Sequence, residues 1–260
     1  MILGKIVEAT RKRLEKEKLI IPPHKIESLA NSIYVKKNFK ESVSKLGINF
    51  ICEVKKASPS KGIIAHDFDY KKIALEYEAA GADAMSVLTE PDFFMGSEKY
   101  LEEINKLVSI PTLKKDFIVD KYQIYQAKVS GASCILLICA ILDDYWLNEL
   151  YQCAKLIGLD VLVETHDELE IERALNIGAD IIGVNNRNLN NFVVDINTCI
   201  ELRDRVPKDI VYVAESGIRN REDIKKLMAA GVNAVLIGET LMREENKVEG
   251  LAKLRGCTSE

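Results

Sequence analysis

Apolar residues along this chain fall into short continuous runs, separated by longer stretches in which they recur every three to four positions. The runs occupy 50–54, 84–88, 112–113 with its neighbours, 134–138, 161–163, 181–184, 210–214 and 234–237. Brevity and the absence of polar alternation predict parallel strands covered by helices on one face and packed on the other. The stretches 70–80, 99–108, 121–130, 143–157, 167–177, 196–205 and 221–230 carry the helical period. Gly81, Gly131, Gly178 and Gly231 each close a helix and open an apolar run, at intervals of 50, 47 and 53 residues. Each interval holds two strand–helix units. Glycine suits the junction because it takes the left-handed conformation that stops a helix. Eight alternating units at this length predict an α/β fold, a (β/α)8 TIM barrel. An open doubly wound sheet is the alternative; no GxGxxG follows the first strand, and the regular repeat favours closure.

The first 47 residues stand outside that count. Leu3, Ile6, Val7 and Leu14 share one face of a helix that Pro22 and Pro23 bring to an end. A second stripe, Ile26, Leu29, Ala30 and Ile33, is followed by Phe39, Val43 and Leu46. The reading is a helical extension, residues 1–47, packed on a barrel spanning 48–260, with one barrel mouth as its expected seat.

Composition narrows the function classes. The 260 residues carry 36 Lys+Arg against 40 Asp+Glu, a net −4, which argues against a nucleic-acid partner. The longest near-apolar run, 132–142, is too short for a membrane span, and the charged amino terminus does not read as a signal peptide. Cysteines 52, 134, 139, 153, 199 and 257 form no CxxC pair and lie mostly in apolar segments. They read as reduced core thiols of a cytoplasmic protein. No His/Asp cluster has metal-ligand spacing, so the expectation is no metal and no cofactor.

In such a barrel the chemistry gathers where the strands end. There the sequence offers Glu53, Lys55, Ser58, Ser60 and Lys61; Lys114, Lys115 and Asp116; Glu164 and His166; Asn185, Asn186 and Arg187; Glu215, Ser216 and Gly217; and Gly238 with Glu239. Charges at buried strand ends need partners or a ligand. Lysines and glutamates at one mouth suggest acid–base work on an anion. The turns AESGIRN and IGET resemble a phosphate cradle, in which glycine admits the ligand to backbone N–H groups. Glu239 would then offer its N–H, with its carboxylate turned away. Alternation puts Glu53 and Lys55 on one strand face, toward the barrel centre. An internal salt bridge that merely plugs the barrel competes with catalysis there. By the same alternation Lys115 shares a face with Leu113, and Lys114 points the other way. His166 reads as a capping or surface residue.

The strings EVKKASPSKG, TEPDFFMGS, LKKDFIVDKYQI, LVETHDE, GVNNRNL, AESGIR and LIGETLM together resemble the indole-3-glycerol-phosphate synthase family over nearly the whole chain, in its single-function form. The resemblance implies a phosphorylated substrate, 1-(2-carboxyphenylamino)-1-deoxyribulose 5-phosphate, closed to an indole with loss of carbon dioxide and water. It implies Lys115 as general acid, Glu164 as acid or base in dehydration, and Lys55 as a substrate contact sharing that proton transfer. Glu53 would orient the lysines, and Asn185 and Arg187 would position the substrate and its carboxylate. Ser58, Ser216, Gly217, Gly238 and Glu239 would lie at the phosphate, with Glu215 beside them on the substrate. Phe117 and Leu189 would pack on the ring. A monomer is expected. Two alternatives compete: a sugar-phosphate isomerase like phosphoribosylanthranilate isomerase, and a non-catalytic phosphate-ligand barrel. The first leaves the strand-1 lysine unexplained; retention of Lys55, Lys115 and Glu164 together weighs against the second.

Overall fold

A computed structural model of the chain describes residues 2–188 and 192–256. Its eight main strands are β1 (Asn49–Val54), β2 (Ala84–Leu88), β3 (Thr112–Lys115), β4 (Cys134–Ile138), β5 (Asp160–Thr165), β6 (Ile181–Asn185), β7 (Val211–Glu215) and β8 (Ala234–Ile237). All neighbours pair in parallel, and β8 closes on β1 through Asn49↔Ala234 to Cys52↔Ile237. The expected barrel is therefore observed. Several strands run one or two residues past the apolar runs, to take in Lys115, Glu164, Asn185 and Glu215. These residues keep strand geometry because their polar ends point into a cavity, and a hydrophobic run stops at the first charge.

Helices such as Tyr70–Ala79, Lys121–Val129, Asp144–Leu156 and Glu168–Asn176 cover the outer face. Their amino ends are fixed by Asp69, Asp120, Asp143 and Asp167, whose carboxylates accept backbone N–H groups of the first turn. At the other ends the repeated glycines Gly81, Gly131, Gly178 and Gly231 have φ between 77° and 87°, the left-handed stop that the repeat predicts. Apolar side chains divide into a large layer between helices and sheet and a smaller one within the barrel.

The amino-terminal segment reaches both ends of the barrel rather than one mouth. Helix α1 (Ile2–Ile20) lies over the carboxyl ends of the strands, where Ile6 is buried with Phe117, Leu136 and Ile138. The short helix Phe39–Ser42 closes the opposite end. Phe39 and Val43 are fully buried in the interior layer, among Ala84, Ile181 and Val211. Around them Lys40 donates its backbone N–H to Asp160 at 2.9 Å and its ammonium to Asp180 at 3.1 Å. Leu29 and Leu46, expected to belong to the apolar stripe, are exposed. Leu29 lies on the outer side of helix Pro23–Asn31, which buries only Ile26 and Ala30. Phe39→Ala should lower stability by about 3–5 kcal/mol, as read by urea unfolding, because the barrel floor cannot collapse into the void. A loss below about 1 kcal/mol would mean that the plug is dispensable.

Candidate active site

One cavity of about 730 Å³ opens at the carboxyl ends of the strands. Of the fourteen site residues that the resemblance implies, thirteen line it: Glu53, Lys55, Ser58, Lys115, Phe117, Glu164, Asn185, Arg187, Glu215, Ser216, Gly217, Gly238 and Glu239. Leu189 lies outside the described residues.

Lys115 occupies the centre. Its Nζ stands 3.0 Å from Glu164 Oε2 and 3.3 Å from Glu215 Oε2, reaching across from β3 to β5 and β7. Burial works against its charge, but Glu164, Glu215 and Glu53 outweigh that and hold the ammonium well above the ordinary lysine pKa. Burial likewise disfavours ionised Glu164; Lys115 and His166 overcome it and hold the carboxyl down, to about 2. Glu215 goes the other way. Burial dominates, aided by Glu164 and only partly opposed by Lys115, and pushes it up to about 7. The two carboxylates beside one ammonium therefore separate into one that stays ionised and one that exchanges its proton near neutrality.

Lys55 pairs with Glu53, both toward the interior, as the strand alternation predicts. Two glycines make room for these groups. A β-carbon at Gly238 would fall 2.8 Å from Lys55 Nζ and closer still to Glu53 Oε2. One at Gly183 would collide with Glu215 Oε1 and press on Leu162 at 3.1 Å. Gly238, expected only as a phosphate contact, thus also makes space for the Glu53–Lys55 pair. Gly238→Ala should cut kcat by about 100-fold with the fold retained, since displacement of catalytic groups by an ångström has that effect. Steady-state kinetics beside circular dichroism would check it, and unchanged kcat would show the pair to be tolerant.

Lys114 points outward from β3, fully buried, onto Glu98 and Gln126. The doublet is resolved in favour of Lys115 as the cavity lysine. Asn185 and Asn186 divide similarly. Asn185 lines the cavity and accepts the Arg187 N–H at 3.0 Å. Asn186 is buried, donating to Ser216 O at 3.1 Å and accepting the Cys199 N–H at 2.9 Å, and so ties the end of β6 to the turn after β7.

That turn has left-handed backbone at both Ser216 (φ 64°) and Gly217 (φ 82°). Successive residues of this kind aim N–H groups into one concavity, a geometry suited to an anion. The Glu239 carboxylate is engaged by Arg243 at 3.1 Å and faces Lys61 at 3.7 Å. At the other end of the cavity Phe94 and Phe117 lie with ring centroids 5.9 Å apart, joined by Leu136, Ile138 and the α1 residues Ile2, Leu3 and Ile6. Asp116 anchors this wall, accepting from Thr89 Oγ1 at 2.7 Å and from the Phe117 N–H at 2.8 Å. Phe94, Leu136, Ile138 and the α1 residues were absent from the sequence expectation. Their signal, apolarity, is the same one that marks the core. His166, expected as a capping or surface residue, is not at the surface: its side chain is only 14% exposed and stands 3.6 Å from Glu164.

The arrangement can therefore hold an anion at one end and a flat apolar group at the other, with a charged acid between them. Among the described residues no three His, Cys, Asp or Glu side chains gather to hold a metal ion, and no helix is long and apolar enough to cross a membrane.

Comparison with known proteins agrees with the geometry. Residues 3–254 match the family model described as indole-3-glycerol phosphate synthase. The chain is 56% identical to the indole-3-glycerol phosphate synthase of Endomicrobium trichonymphae, over 98% of this chain and all of that one. It is 52% identical to that of Ruminiclostridium cellulolyticum, over 98% and 99% of the two chains. Among solved structures, 3-hexulose-6-phosphate synthase superposes with a TM-score of 0.66 at 12% identity, covering 82% of this chain and all of the other, a likeness of fold.

Proposed function

The chain belongs to the indole-3-glycerol phosphate synthase family, and from that premise we propose how its own residues divide the reaction. The enzyme is a carboxy-lyase of tryptophan biosynthesis. It closes 1-(2-carboxyphenylamino)-1-deoxyribulose 5-phosphate to indole-3-glycerol phosphate, releasing carbon dioxide and water. Membership displaces the isomerase and ligand-sensor alternatives.

The observation that carries the assignment of roles is Lys115, an ammonium clasped by Glu164 and Glu215 in the middle of the cavity. As the ring carbon bearing the carboxylate attacks the sugar carbonyl, the carbonyl oxygen gains charge, and Lys115 gives it a proton. Carbon dioxide then leaves and the ring regains aromaticity. Loss of the new hydroxyl as water needs a second proton, and the adjacent C–H must give one up. Glu164 and Lys55 are the groups for that exchange. Each turnover consumes one proton net, which returns Lys115 to its charged form. Glu53 orients Lys55, and Glu215 holds Lys115. Asn185 and Arg187 take the carboxylate end. Ser58, Ser216, Gly217, Gly238 and the Glu239 N–H take the phosphate, and Phe117 packs on the ring, with Leu189 assigned there by sequence. Holding the two carbons in contact supplies much of the acceleration.

We also read the chain as a cytoplasmic monomer, a state that sedimentation checks, and its −4 charge supports the absence of a nucleic-acid partner. Incubation with the substrate should generate indole fluorescence with no added metal or cofactor. Saturating substrate without product would overturn the division of roles along with the activity.

A further inference from the structure

His166 has no part in the scheme above, yet its ring is aimed at the catalytic carboxylate. It follows β5, two residues after Glu164. Its Nδ1 lies 3.0 Å from Glu170 Oε2, and its backbone N–H donates to the same oxygen at 2.8 Å. Glu170 therefore holds the residue at two points, ring and backbone, and fixes Nδ1 as the protonated nitrogen. The other ring nitrogen, Nε2, is buried and finds no hydrogen-bond partner among the described residues. It points to Glu164 Oε1 at 3.6 Å, while Lys115 takes Oε2 of the same carboxylate. A buried nitrogen left without a partner is costly unless it completes a contact during function.

We propose that His166 is a positioning residue for Glu164, gripping the carboxylate oxygen opposite the one held by Lys115 and fixing its orientation and charge through the dehydration step. This rests on the roles assigned above to Glu164 and Lys115. The charged groups around the ring support the cationic form: Glu164 from its own strand, Glu170 from the following helix, and Glu215 from β7. Arg173, on the helix of Glu170, and Lys115, beyond Glu164, are the opposing cations. Burial alone would lower the histidine pKa, but Glu170 and Glu164 raise it above the ordinary value. The imidazolium is therefore present at low pH and is lost as pH rises through that raised pKa. With it goes one of the two cations that keep Glu164 ionised.

The test compares His166→Asn with the wild type across pH, with substrate saturating. At pH 6 the variant should be slower in kcat by roughly fivefold, with KM changed less than about twofold. The ratio of wild-type to variant kcat should fall toward one as pH rises and the wild-type ring loses its proton. A ratio of one throughout, or a deficit that stays constant with pH, overturns the proposal. A second measurement avoids any folding defect in that variant and does not depend on activity. Ring NMR titration should show the His166 pKa falling in Glu164→Gln. An unchanged His166 titration would show that the two groups are uncoupled, even if turnover by the wild type bears out the assigned roles.

Discussion

Lys115→Met should lose about 10³–10⁴-fold in kcat, the range expected when a positioned general acid is removed. The substitution keeps the length of the side chain and discards only the proton donor, so the cavity should hold its shape. Two carboxylates are then left facing an uncharged group in a buried site. Glu215 already lies near neutrality and should become fully protonated; Glu164 should rise from its depressed value as the lysine that holds it down is lost. The variant should consequently fold and bind substrate while failing at ring closure. Circular dichroism, substrate titration and the fluorescence assay, made on one preparation, would separate these outcomes. Turnover within tenfold of the wild type would mean that another group, with Lys55 the first suspect, gives the carbonyl its proton.

Lys114→Met should do the opposite. Its ammonium is fully buried against Glu98 and Gln126 on the outer face of β3, away from the cavity. Removing one partner of a buried ion pair costs about 3–5 kcal/mol, because the other charge stays behind. Glu98 moderates that. It keeps 28% of its side-chain surface exposed, and burial already raises its pKa, so it can take up a proton. The expected loss is about 2–3 kcal/mol in urea unfolding, with kcat within about threefold of the wild type. The two neighbouring lysines thus make a paired experiment: one substitution removes turnover and the other removes stability. Equal losses of turnover would place the wrong lysine in the cavity.

The barrel was readable from the sequence because its signals are local. A buried parallel strand writes a short apolar run, and a helix stop before it writes a glycine. The same locality explains the errors. Apolar runs end at the first polar residue, so Lys115, Glu164, Asn185 and Glu215 fall just beyond the runs, although the strands extend to include them. Alternation along β3 nevertheless assigned the lysine doublet correctly, since side chains swap faces at each step whatever their chemistry. What escaped were contacts made between distant segments. Phe39 looked like part of an ordinary helical stripe, and nothing in its neighbourhood indicates that it plugs the far end of the barrel. Leu3 and Ile6 read as a packing face, and only the third dimension shows that they line the cavity, with Ile2 beside them. Gly183 opens the string GVNNRNL, but its need for hydrogen in place of a methyl comes from Glu215 on the next strand, which the string does not show. The burial of His166 is hidden for a related reason. At the start of a helix a histidine ordinarily caps or meets solvent, and the depth of the β5 end is invisible in the string ETHDELE.

The central claim is that Lys115 supplies the proton with which the ring closes, and release of carbon dioxide tests it most directly, because decarboxylation follows carbon–carbon bond formation and precedes dehydration. In a single turnover with substrate labelled at its carboxylate, the wild type should release the label and form indole together. Lys115→Met should bind the substrate and release neither. Release of labelled carbon dioxide from the bound variant at the wild-type rate, with only the later appearance of indole delayed, would contradict the account and move Lys115 to the dehydration step.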